Sequence, residues 1–227
     1  VEEYDHRDPT SEAVLRAFAE IGVPPTNDYN GDDQFGSFHY QVTAHGGKRC
    51  SAADAFLRPA MGRSNLQVIT GAQCRRVLFD GKCATGVEIN TPSGVQQIIA
   101  SREVILSAGA YHSPHILMHS GIGPAQHLRD SGIAVLHDNA SVGSNLQDHL
   151  ILTMSWALKP GTYSFNDELG GFRLLWNVLR YVATKSGPMT TPAAQTGAFV
   201  KSHPALDRPD IQFHCLPVCG DVFAAAE

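Results

Sequence analysis

The sequence predicts an α/β chain with α+β character, and three segments carry that reading. One joins a short apolar run to a helix through a turn of small residues, a second alternates as a meander, and a third joins a long amphipathic helix to a late strand. The first, residues 103–123 (EVILSAGAYHSPHILMHSGIG), is the most informative. Glu103 to Leu106 predicts a buried strand, and Ser107-Ala108-Gly109-Ala110 a tight turn. Ser113 as N-cap and Pro114 at N1 predict a helix through Ile116, Leu117 and Met118. Ser120-Gly121-Ile122-Gly123 stops that helix and Pro124 opens the next. Strand, small-residue turn and helix N-terminus let backbone amides approach a phosphate or ribose, and the helix dipole favours negative charge there. This is the pattern of a dinucleotide-type site, although an ordinary strand–helix turn has the same residues.

The remaining elements follow in order. Pro9 to Ile21 predicts an amphipathic helix capped by Thr10 or Ser11, with Val14, Leu15, Phe18 and Ile21 on one face and Gly22 ending it. Pro24 to Gly36 is a polar loop, and Ser51 to Leu57 a short helix before Pro59. Leu66 to Ile99 alternates as a meander, turned at Asp80-Gly81 and at Pro92-Ser93-Gly94. Ala125 to Ser131 predicts a helix with Gly132 just past its end, and Ile133 to Leu136 a strand. Ile151 to Leu158 alternates like a strand, turned by Pro160-Gly161. Asn166 or Asp167 caps a helix running through Leu169, Phe172, Leu175, Trp176, Leu179 and Val182, whose first turn Gly170-Gly171 weakens by about 1 kcal/mol per glycine. Ile211 to Leu216 is a strand. The change of character near residue 150 divides the chain into 1–150 and 151–227.

Composition narrows the function classes. Lys+Arg 17 against Asp+Glu 22 gives a net charge of −5 with no basic run, which argues against nucleic-acid or anionic-membrane partners. The apolar stretches fall far short of the roughly 20 residues of a transmembrane helix, and no signal peptide is evident. Five cysteines (50, 74, 83, 215 and 219) form no C-x-x-C pair, so reduced thiols and a cytoplasmic location are expected, with membrane association left open. Cys215 and Cys219 lack a matching ligand pair. His115 and His119 stand at i, i+4, a spacing that can bind metal, but they read as part of a polar helix face; no metal site is expected.

Gly109-Ala110, Ser113-Pro114, Ile116-Leu117 and Ser120 to Gly123 together resemble the second signature of the glucose–methanol–choline oxidoreductases. The resemblance extends upstream through Asp28-Tyr29-Asn30-Gly31, Gln34-Phe35-Gly36, Tyr40 to Thr43 and Lys48 to Ala53, and Asn65 to Ala72 resembles the family's strand along the adenine. Downstream it takes in Val142 to His149, Gly187-Pro188, Gly197 to Val200 and Arg208 to His214. It implies part of a Rossmann-like FAD-binding domain with a β-meander (1–150) joined to part of a sheet-plus-helices substrate domain (151–227). It also implies FAD-dependent oxidation of an alcohol to an aldehyde, by hydride transfer to the flavin.

Residue by residue, the resemblance implies that Ala108, Gly109 and Ala110 present bare main chain to the flavin nucleotide, and that the Cys74 backbone reads the adenine edge. Asn145 would fix a loop entering the flavin site, with Asp148 and His149 in a charge-assisted hydrogen bond. Gln195 stands where choline-oxidising relatives resemble a glutamate facing the trimethylammonium group, and a neutral amide cannot match that Coulomb attraction. A neutral primary or aromatic alcohol is therefore the expected substrate, with oxygen or a quinone-type carrier as acceptor. No G-x-G-x-x-G occurs. The phosphate-gripping loop is expected before Val1 and the catalytic pair, a histidine with a second histidine or asparagine, beyond Glu227, so no catalytic residue is assigned within the chain, and weak or no FAD retention is expected of it. Alternatives are a choline dehydrogenase, a flavin-retaining lyase or photodecarboxylase, and an inactive truncated fragment.

Overall fold

The computed structural model describes residues 1–4 and 6–218; Cys219 and the closing run 223–227 lie outside them. In chain order come α1 (Pro9–Glu20), β1 (Gly36–His39), β2 (Ala44–His45), β3 (Lys48–Arg49), and a π-type turn (Ala53–Leu57) that continues into α2 (Arg58–Ala60). Next are β4 (Gln73–Asp80), β5 (Cys83–Thr91), β6 (Gly94–Ile99), α3 (Gly109–His119), β7 (Ile122–Gly123), α4 (Ala125–Asp130) and β8 (His137–Asp138). A 3₁₀ turn (Phe165–Leu169), α5 (Gly171–Thr184), a second 3₁₀ turn (Pro188–Thr190), β9 (Thr196–Val200) and β10 (Ile211–Cys215) complete the order. The chain divides into two units. Residues 63–152 form one, and residues 1–62 join those from Thr153 onward in the other. The second junction falls beside the expected division at 150; the first, after Gly62, has no counterpart in the sequence reading.

The unit containing both ends of the chain is built on an antiparallel sheet in the order β1-β9-β10. Phe38 pairs across from Gly197 and stacks on Tyr29 with ring centroids 4.0 Å apart, while Phe199 lies 5.1 Å away. Gly197 is required by close approach: a Cβ there would fall 2.4 Å from the Phe213 carbonyl oxygen. Helix α1 is capped by Asp8, not by Thr10 or Ser11. Its Oδ1 accepts from the amides of Thr10 at 2.7 Å and Ser11 at 3.3 Å, because a carboxylate one residue before Pro9 sits at the N-cap itself. Gly22 ends the helix at φ 87°, as expected, but Ile21 is 75% exposed and does not belong to the buried face.

The long helix predicted from Asn166 is two elements. Gly170 is extended and Gly171 has φ 54°, so the glycine pair breaks the helix outright and separates the Ser164-capped 3₁₀ turn from α5. The inward face of α5 carries Asn177, whose amide donates to the Glu168 carbonyl at 3.1 Å and carboxylate at 2.9 Å. Its apolar stripe is outward, with Phe172 85% and Trp176 65% exposed.

In the other unit, β4, β5 and β6 form the expected meander, turning at Gly81-Lys82 and Pro92-Ser93. Helix α3 begins at Gly109, four residues before the expected N-cap. Ser113 is therefore not its N-cap; its Oγ accepts from the Ala108 amide at 3.0 Å, and Pro114, expected at N1, lies inside the helix. The helix ends at His119, with Gly121 at φ 83° donating to the Met118 carbonyl. Pro124 then opens α4 as expected, and Gly132 follows it at φ 71°. The strand expected at 133–136 is displaced: β7 pairs in parallel with His137–Asp138.

Three further expected strands do not form ladders. Residues 66–72, 103–106 and 151–158 are irregular, and Ile105, expected to be buried, is 76% exposed. An apolar or alternating run becomes a strand only by exchanging hydrogen bonds with a neighbour, and none of these three finds a ladder partner among the described residues.

Candidate functional site

A cavity of about 520 Å³ opens within the 63–152 unit, between the start of β4 and helix α3. Ala72, Gln73, Cys74 and Arg75 line one wall, with Asn90 from β5, and Ala108, His112, His115, Ile116 and His119 line the other. Ala72 precedes β4, Gln73 and Cys74 open it, and the β4–β5 register slips between Cys74 and Arg76, leaving Arg75 out of the ladder. Asn90 is the register partner of Gln73, which places it at the same end.

Ser120 fixes the distance between the walls. Its Oγ accepts from the Val77 amide at 2.8 Å and donates to the Ile116 carbonyl at 2.6 Å, tying the last turn of α3 to the outer rim of β4. The second block of the sequence is anchored to the same helix, since a Cβ on Gly143 would fall 2.4 Å from the Met118 terminal methyl.

The turn leading into α3 is bare. Ser107, Ala108, Gly109 and Ala110 are all exposed, and a Cβ on Gly109 would meet no atom of the chain within 4 Å. The glycine is required there by its φ of 83°, not by protein packing. Burial pushes the Cys74 thiol above its ordinary value, so the sulfur is protonated at neutral pH and is neither nucleophile nor anion. Arg75 and Arg76 both pair with Glu88, at 3.4 and 3.0 Å, and the Arg76 hydrogen bond holds the Glu88 carboxyl below the usual range.

The structure thus brings two of the expected site residues, Cys74 and Ala108, to one cavity, with Gly109 and Ala110 following Ala108 in the exposed first turn of α3. Asn145 and Asp148 are exposed and do not line it; Asn145 adopts φ 58°. The expected Asp148–His149 bond takes a different form: the Asp148 carboxylate accepts from the His149 backbone amide at 2.8 Å, because adjacent residues reach each other through the main chain first. Sequence reasoning gave no role to Gln73, Arg75 or Asn90. The register slip beside them leaves no local sequence signal; the flanking polar run Gln73 to Arg76 was the one available hint.

Gln195 lies in the other unit and is 0% exposed. Its Oε1 accepts from Ser11 Oγ at 3.3 Å, and the same hydroxyl lies 3.1 Å from Asp8 Oδ2. Its backbone carbonyl accepts from the Tyr4 hydroxyl at 2.6 Å; Tyr4 is also 3.1 Å from His39 Nδ1, and His39 Nε2 is 3.0 Å from Glu12. Burial lowers the His39 pKa; its Nε2 faces the Glu12 carboxylate, while the Tyr4 proton is committed to the Gln195 carbonyl. The residue expected to face substrate is therefore held in a buried polar network.

A family model described as GMC oxidoreductase matches residues 1–151. An oxygen-dependent choline dehydrogenase of Rhizobium johnstonii is 41% identical over 211 residues, covering 92% of this chain and 38% of that protein. An alcohol dehydrogenase [acceptor] of Pseudomonas putida is also 41% identical, over 216 residues and with the same coverage. Among solved structures, an FAD-dependent oxidoreductase from Chaetomium thermophilum superposes with a TM-score of 0.76 at 26% identity, covering 87% of this chain and 35% of that one. The chain therefore spans under two fifths of the length of these relatives. Among the described residues, no helix is long and apolar enough to cross a membrane.

Proposed function

The chain belongs to the GMC oxidoreductase family, and from that premise we propose that it supplies the adenosine-side wall of an FAD site in an enzyme that oxidises alcohols. The carrying observation is the cavity between Cys74 and Ala108, with the open Gly109 turn beside it. The residues present fit the group. A ligand can approach the main chain at Gly109, where a Cβ would meet no atom, although the Ala108 amide is taken by Ser113 Oγ, and the α3 N-terminus favours a phosphate. β4 is an edge strand, so main-chain groups on its outer rim near Cys74 are available to an adenine edge. Asn145 and Asp148 belong to this reading as parts of the loop carried on α3 through Gly143.

Bound FAD would supply two-electron redox chemistry, which no side chain here can perform. The chain's own contribution is to hold the nucleotide and exclude water from one side of it. The neutral Gln195 amide supports an uncharged primary or aromatic alcohol as substrate, and its burial makes that influence indirect, through the shape of the surrounding network. Oxygen or a quinone-type carrier is the acceptor in this reading.

The test is FAD titrated into the chain and followed by flavin fluorescence. Saturable quenching is expected, lost in Ala108→Phe, which fills the cavity wall, and retained in Cys74→Ser, because main chain does the reading there. Equal affinity for A108F and the unaltered chain would overturn the assignment.

A further inference from the structure

We propose that His115 and His119 form a binding site for a divalent transition ion with tetragonal preference, Cu²⁺ or Ni²⁺, on the wall of the cavity. This holds whatever occupies the cavity itself. The two Nε2 atoms converge to 3.0 Å across one turn of α3, with the rings nearly perpendicular at 87°. With metal–nitrogen bonds of roughly 2.0–2.1 Å, that separation corresponds to an N–metal–N angle of about 94°. A square-planar or octahedral ion takes the nitrogens at close to the observed spacing, and a tetrahedral Zn²⁺ at about 3.3 Å after a small rotation of either exposed ring.

One further feature favours a cation here: His119 is the last residue of α3, where the helix dipole attracts positive charge. Arg75 on the opposite wall opposes it, since Arg75 shares the single Glu88 carboxylate with Arg76. No third His, Cys, Asp or Glu joins the pair among the described residues. The ion's other positions are therefore open to water or to a ligand entering the cavity. Without metal the pair is a single hydrogen bond between two exposed rings.

Electron paramagnetic resonance of the full chain titrated with Cu²⁺ tests the site. One tight equivalent with hyperfine coupling to two nitrogens is expected. His115→Gln and His119→Gln should each lose the two-nitrogen signal and weaken binding by about tenfold or more. His127→Gln, an exposed histidine on α4, should leave both unchanged. All three residues are exposed, so far-ultraviolet circular dichroism should show the fold retained. A one-nitrogen spectrum in the unaltered chain, or a two-nitrogen spectrum that survives in H115Q and H119Q, would overturn the site.

Discussion

The two units treat polar groups in opposite ways. In the unit containing both chain ends, polar side chains are buried against one another: the Ser11 hydroxyl lies between Asp8 and Gln195, the Gln195 Nε2 is left without a partner, and Tyr4 stands between the Gln195 carbonyl and His39. In the 63–152 unit the polar groups Gln73, Asn90 and His112 face a cavity, and the main chain of 108–110 faces open space. The first arrangement spends its hydrogen bonds on holding a sheet whose strands are about 160 residues apart in sequence, β1 against β9. The second keeps surfaces available, at the cost of order in the segments beside them. Buried polar contacts and polar groups facing open space are thus divided between the units.

The largest effect that bears on this contrast is expected from Gln195→Glu. A carboxylate at a 0% exposed position, sharing Ser11 with Asp8, has no cation to pair with. A loss of about 3 kcal/mol is expected in urea unfolding. In an alcohol-oxidising enzyme that contains this segment, as proposed above, kcat/KM for choline should rise relative to benzyl alcohol if the substitution is tolerated. Unchanged stability would show that the position is not closed to water, and an unchanged substrate ratio would remove Gln195 from the substrate reading.

Ser120→Ala probes the open unit. It strips the acceptor from the Val77 amide and should cost about 1–2 kcal/mol. Hydrogen exchange at Val77 should accelerate, and FAD affinity should fall as the walls part. Unaltered exchange at Val77 would mean that α3 is held by other contacts.

The smallest effect is on pH dependence, and it differs between units by window. Burial lowers the pKa of His39 and His6, so below about 6.5 the unfolded chain binds protons that the folded one refuses. The unit that holds them should lose stability as pH falls through that value, and His39→Gln should flatten the slope. Glu88 in the 63–152 unit is also lowered, but by the Arg76 hydrogen bond, which stabilises its charged form. Its contribution is complete above about 4.3 and is lost only below that pH. Thermal melts between pH 7 and 5 that leave the unit containing His6 and His39 unaffected would contradict the lowered histidine pKa values.

Legibility in the sequence followed the range of the interactions. The meander, its two turns, α1, α4 and the helix of the second signature could be read, because each rests on local periodicity and on Gly, Pro or Ser at defined places. The irregular states of 103–106 and 151–158 could not be read, since apolar alternation states a capacity for pairing and not the presence of a partner. Similarly, Gly170-Gly171 announced a weak turn, but only the backbone shows that Gly171 leaves the helical region altogether.

By itself the sequence determined the family signature and the elements that carry it: a small-residue turn followed by a helix, beside a meander. Those properties are set by neighbours a few residues apart, through φ preference and side-chain period. Tertiary structure decided which side chains share a space. A register slip after Cys74 left Arg75 out of the ladder beside Gln73 and Cys74, Ser120 set the opposite wall, and the pairing of β1 with β9 drew Gln195 into the core. These outcomes depend on contacts between distant segments, whose geometry is fixed only when the whole set of hydrogen bonds closes.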